Sequence, residues 1–238
     1  MIPLRDTIPH RRPPLMTWAI ILANALVFAY ELSLPPRALQ ALFFEFGIVP
    51  SRLLRPQGLL PGVPGPGYLS FLTSMFLHGG WAHIIGNMWF LHLFGDNVED
   101  RMGHLRFLLF YLLSGLLAGI IHCWTNAHSA LPTIGASGSI AGVMGAYLVL
   151  YPHSRIITLV PVLFYPVFFE IPAFLFLFFW FLTQLMNGSL ALVSREAFAG
   201  IAWWAHVGGF LAGIVLQLFF VRSRGYHRYY FETEFDPW

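Results

Sequence analysis

Long apolar runs, separated by arginines and by loops rich in proline and glycine, decide what this chain can fold into. The first, Leu15 to Leu34, is too long for the core of a secretory signal and lacks its small-residue cleavage site, so it reads as a membrane span. Five more helical spans follow at about Trp81–Val98, Leu105–Trp124, Ser137–Tyr151, Ile171–Met186 and Ile201–Val221. The expectation is an all-α membrane protein with a six-transmembrane-helix bundle over residues 15–222. Short cytoplasmic tails occupy 1–14 and 223–238. The residues are 57% hydrophobic and only 10% charged, against about 25% charged in soluble domains. Several spans are shorter than the ~20 residues of a full crossing. Their ends must therefore be covered by protein or reached by water.

All thirteen basic residues are arginine. With both termini cytoplasmic, nine of them fall on inside segments. Arg37, Arg52, Arg55 and Arg195 fall outside, so the positive-inside rule favours an N-in, C-in orientation. This topology also accounts for the mildly basic balance better than nucleic-acid binding does. Cys123 is the single cysteine, which excludes an intramolecular disulfide and a zinc–thiolate site. Two loops are unusually apolar. The outer one, Pro35 to Leu77, is expected to lie partly in the membrane interface. The inner one, His153 to Glu170, is broken by Pro161 and Pro166, and Pro172 suits the first turn of the helix that follows.

Three spans bring polar side chains to one depth. Ser137 lies 14 residues before Tyr151, His206 lies 15 before Val221 and His83 lies 15 before Val98. At 1.5 Å per residue these are about 21–22 Å, which puts all three about 8–9 Å below the outer edge of a ~30 Å hydrocarbon layer. Gly138, Gly142 and Gly145 recur on the serine helix, while Gly209 and Gly213 share a face with His206. Small residues let membrane helices approach closely, so the serine and histidine helices are expected to pack together. His83 and Asn87 are four apart and project from one face. Such polar stripes point inward.

A serine hydroxyl becomes a useful nucleophile once a base accepts its proton. His206 can be that base. His83, Asn87 and the Ser137 backbone N–H can stabilise an oxyanion, and a helix N-terminus at Ser137 adds a favourable dipole. No carboxylate lies on either helix, so a dyad is expected rather than a triad. His78 and His83 do not share a helix face, and no His-Glu-x-x-His is present. No metal or cofactor is therefore invoked. Other polar groups have plainer readings. Asn24 and Gln184 suit interhelical hydrogen bonds, His122 and His128 suit the interface, and Glu99, Asp100 and Arg101 suit a charged cluster at the cytoplasmic surface.

Three stretches together, Gly135-Ala136-Ser137-Gly138, His78-Gly79-Gly80-Trp81-Ala82-His83-Ile84-Ile85-Gly86-Asn87 and Ala205-His206-Val207-Gly208-Gly209 with Gly213, resemble the rhomboid intramembrane serine proteases. Phe94 to Gly103 also resembles the family's segment after its second helix. The resemblance implies a rhomboid-like bundle with Ser137 as nucleophile, His206 as general base, and His83 and Asn87 in the oxyanion hole. His78, Gly135 and Gly138 would support them. Substrates would be single-span membrane proteins in the lipid bilayer, cut near the outer end of a helix. The phenylalanine-rich span Ile171–Met186 and the face around Phe90 would admit them laterally. Where some relatives place an aromatic residue one turn after the serine, this chain has Ala141. The host is expected to be a bacterial-type plasma membrane. The alternative function is a non-catalytic relative that binds transmembrane clients. A transporter has less support, because no inverted repeat is present.

Overall fold

In the computed structural model, which describes residues 2–9, 11–54, 67–163, 165–193 and 201–221, a short strand, β1 (Ile2–Asp6), leads into helix α1 (Leu15–Ser33). The segment between α1 and the next long helix forms α2 (Pro36–Phe46), α3 (Pro50–Leu54) and α4 (Ser70–Thr73), the last flanked by single 3-10 turns. Three buried or central helices follow: α5 (Trp81–Met102), α6 (His104–Thr125) and α7 (Ser137–Leu150). The hairpin β2 (Arg155–Val162) and β3 (Tyr165–Pro172) precedes α8 (Ala173–Val193) and α9 (Trp203–Phe220). The expected C-terminal tail lies outside the described residues.

Among the described residues, α1, α6, α8 and α9 are long and apolar enough to cross a membrane. The chain is thus an integral membrane protein built as a helical bundle. Helix α7 has only 14 residues, short of the ~20 of a full crossing. Its neighbours compensate: every residue from Gly138 to Tyr147 is buried against α5, α6, α8 or α9. Helix α5 has the length but carries His83, Asn87, His92, Asp96 and Asn97.

The all-α expectation omits a sheet. Strands β1, β2 and β3 form a three-stranded antiparallel sheet in that order. The apolar inner loop is therefore a β-hairpin, and Pro172 closes β3 opposite Arg155 instead of opening a helix. Pro161 and Pro166 face each other beyond the end of β1, which reaches only Leu159. Among the described residues β1 does not extend past Leu159, so Pro161 in β2 forfeits no ladder bond on that side.

Helix α5 also runs one turn further than its hydrophobic pattern suggests. Glu99, Asp100 and Arg101 are not at the surface; each is at most 3% exposed. Glu99 accepts the backbone N–H of Met16 (2.8 Å) and of Thr17 (2.7 Å), and also the Thr17 hydroxyl. It thereby caps the first turn of α1, where four N–H groups have no helical partner. The other carboxylate contact is His104 Nδ1 at 2.5 Å. Gly103, at φ +82°, then ends α5 with its N–H on the Glu99 carbonyl and lets α6 start at once.

The α7–α9 contact is made by main chain. A Cβ built on Gly209 would overlap the carbonyl oxygen of Gly138. One built on Gly213 would overlap that of Gly142, and one on Gly145 that of Phe210. In lipid, dispersion between closely apposed helices replaces the hydrophobic effect as the adhesive, and these glycines permit that closeness.

Candidate active site

Ser137 is the first residue of α7 and His206 lies in the first turn of α9. The glycine contact between those helices places Ser137 Oγ 2.8 Å from His206 Nε2. Both residues are half-buried and line one cavity. Ser137 and His206 lie 13 and 14 residues from the ends of their helices, close to the expected counts. His83 lies 19 before the end of α5, because of the extra buried turn. It reaches the same cavity all the same.

That cavity measures about 1170 Å³ and is lined by Ser137, His206, His83, Asn87, Trp180 and Gln184, among others. Two donors face it. His83 Nδ1 accepts the backbone N–H of Gly79 at 3.3 Å, so the ring proton sits on Nε2. Asn87 is 8% exposed, and its Nδ2 has no hydrogen-bond partner among the described residues. An unpaired buried donor costs about 1–3 kcal/mol, and such groups are retained where a ligand oxygen arrives. Gly135 sits between these donors and the serine at φ +123°; a Cβ there would come within 2.6 Å of His83 Nε2 and 3.7 Å of Asn87 Nδ2. Ser137 itself, at the start of α7 where helix N–H groups lack intrahelical acceptors, lines the same cavity.

The remaining expected residues serve at one remove. Gly138 lies against Ala118 and Ala205, where it allows α6 and α9 to close on the serine helix. His78 does not line the cavity; its ring meets that of His83 edge-on at 5.0 Å. Its backbone N–H is held by the buried Glu31 at 3.1 Å, and this anchors the turn before α5. His122 is buried rather than interfacial. Its Nε2 meets Thr133 Oγ1 at 2.8 Å and braces the loop leading to Ser137. Asn24 bonds the carbonyl of Ile20 within its own helix, not another helix.

Two neighbours of the histidine are identified as such only by the structure, although Gln184 already read as a partner for another helix. Trp180 on α8 lies over His206, with ring centroids 6.0 Å apart at 35°, where Ala141 offers no ring. Gln184, one turn on, places Oε1 2.8 Å from His206 Nδ1. A tryptophan and a glutamine in a phenylalanine-rich helix carry no motif; only the i, i+4 spacing of two hydrogen-bonding groups hints at a shared target. Among the described residues, no group of three or more His, Cys, Asp or Glu side chains is arranged to hold a metal ion.

Ser137 and His206 thus meet by a side-chain hydrogen bond inside a bundle of helices that includes membrane-spanning ones. The rhomboid-domain profile matches residues 66–223, about two thirds of the chain, and the chain belongs to the rhomboid family. It is 29% identical over 236 residues to RHOMBOID-like protein 5 of Arabidopsis thaliana, covering 87% of this chain and 70% of that one. It is 32% identical over 116 residues to the Putative rhomboid protease YdcA of Bacillus subtilis, covering 47% and 58% of the two chains. Presenilin-associated rhomboid-like protein A, mitochondrial, of Danio rerio is 27% identical over 155 residues, or 61% of this chain and 36% of that one.

Proposed function

We propose that this chain is an intramembrane serine endopeptidase that cleaves transmembrane segments of other membrane proteins. Six of its helices (α1 and α5 to α9) cross the bilayer, with both termini and the sheet on the cytoplasmic side of a bacterial-type plasma membrane. The observation that carries the reading is the 2.8 Å contact between Ser137 Oγ and His206 Nε2, beside the Asn87 donor that has no partner among the described residues.

The chemistry follows from the placement. His206 Nε2 takes the hydroxyl proton as Ser137 Oγ attacks the scissile carbonyl carbon. The resulting oxyanion accepts hydrogen bonds from Asn87 Nδ2, His83 Nε2 and the Ser137 backbone N–H, donors already in place before charge develops. His206 returns the proton to the leaving amine, and the acyl-serine is released by water drawn from the cavity with His206 again as base. Substrate reaches the site between α5 and α8, where the ring centroids of Phe90 and Phe176 lie 6.5 Å apart.

The test is covalent labelling of the purified full chain by a fluorophosphonate probe, followed by incubation with a panel of single-span proteins and mass mapping of the products. Wild type should label and cleave, and Ser137→Ala should do neither. Labelling that persists in Ser137→Ala refutes the assignment. A client whose fate is the same with wild type and Ser137→Ala points instead to a non-catalytic binder.

A further inference from the structure

We infer that Gln184 is a positioning residue for the histidine base: its amide oxygen accepts the Nδ1–H of His206 and so turns the Nε2 lone pair toward Ser137. The inference rests on the proposed Ser137–His206 chemistry and adds a member that the pairing alone does not require.

The hydrogen-bond network fixes which end of the amide faces the ring. Gln184 Nε2 donates to the Trp180 carbonyl at 3.3 Å and to Thr183 Oγ1 at 3.1 Å. The Thr183 hydroxyl spends its own proton on that same carbonyl at 2.6 Å. Turned by 180°, the amide would set its oxygen against a carbonyl oxygen and a hydroxyl with no proton to give. Oε1 must therefore point at His206 Nδ1, where it lies at 2.8 Å. An amide oxygen only accepts, so Nδ1 must hold the proton. A neutral imidazole carries one N–H, and Nε2 is then left bare at 2.8 Å from Ser137 Oγ. This is the tautomer a general base requires.

Gln184 is itself only 7% exposed although it lines the cavity, so its amide is mostly enclosed by protein. The ring is held from the same helix a second time by Trp180, four residues earlier. Where an aspartate would fix the tautomer and also stabilise the imidazolium by its charge, a neutral amide supplies orientation alone. That suits a membrane interior, where an unneeded carboxylate is costly to bury.

The experiment uses the full chain in lipid nanodiscs, selectively labelled with 15N-histidine, with His206→Gln to identify the resonance of interest. Wild-type His206 should show a protonated Nδ1 and an unprotonated Nε2; the opposite tautomer overturns the inference without any variant at position 184. In parallel, Gln184→Met keeps the shape and loses the acceptor, whereas Gln184→Glu restores an acceptor oxygen. Fluorophosphonate labelling should slow about 10- to 100-fold in the methionine variant, part of the 10²–10⁴ a positioned base supplies. The slowing should fall on the maximal rate, with the half-saturating probe concentration unchanged, and the glutamate variant should recover to within a few-fold of wild type. Wild-type labelling by Gln184→Met, or equal slowing in both variants, overturns the inference. Persistent labelling of Ser137→Ala would instead sink the dyad and leave the tautomer result standing.

Discussion

Substituting Gly135 by alanine should disable the site through one methyl group. The new Cβ would stand 2.6 Å from His83 Nε2 and 2.8 Å from its Cε1, while Asn87 Nδ2 at 3.7 Å would be in ordinary contact. Relief to about 3.4 Å requires the His83 ring to retreat by about 0.8 Å, enough to break a hydrogen bond to an oxyanion. Loss of one such donor costs about 10²–10³ in rate, or about 2.7–4 kcal/mol of transition-state stabilisation. Alanine at φ +123° adds backbone strain of about 1–3 kcal/mol, which appears in stability. Fluorophosphonate labelling reads the first effect, because the phosphonyl oxygen takes the oxyanion's place; thermal unfolding reads the second. A His83→Ala background separates the causes: with the imidazole gone, the methyl has nothing to displace, so Gly135→Ala should then slow labelling no further. Wild-type labelling by Gly135→Ala, or the same slowing with and without His83, would refute the oxyanion geometry.

Other outcomes concern the frame around the site. Gly213→Ala drives a Cβ into the main chain of Gly142, so unfolding in detergent should become easier by about 1–3 kcal/mol, and dyad labelling should weaken with it. Near the N-terminus, burial pushes the Asp6 carboxyl up to about 7; hydrogen bonds from Tyr147 and Asn97 oppose that rise and the Asp96 charge adds to it. A carboxyl whose folded value exceeds its unfolded 3.8 contributes stability in full below 3.8 and loses it as pH climbs through about 7. The unfolding midpoint should therefore decline as pH rises from about 4 to about 7 and level off above that, and Asp6→Asn should flatten that slope.

The sequence made the helices and the Ser137–His206 meeting legible because both depend on local, periodic signals. Apolar runs mark spans, and glycines at helical spacing mark close faces. The sheet was hidden for the opposite reason. Residues 155–172 are apolar on both faces and hold three prolines, and β1 pairs with β2 from about 150 residues away. The full length of α5 was hidden because its last turn is charged yet buried, satisfied by amides of α1 that no pattern foretells. Gln184 read correctly as a partner for another helix. Its target could be named only once α8 and α9 were seen side by side.

Helices α7 and α9 meet peptide against peptide at Gly209–Gly138, Gly213–Gly142 and Gly145–Phe210. The spacing of hydroxyl and imidazole is consequently set by covalent backbone dimensions, which do not drift as outward-facing residues are exchanged. Lipid-facing positions such as Leu211, Val215 and Leu218 are then free to follow the thickness and fluidity of whichever bilayer the chain inhabits. Adaptation to the solvent and fidelity at the reacting atoms can proceed on opposite sides of the same helix.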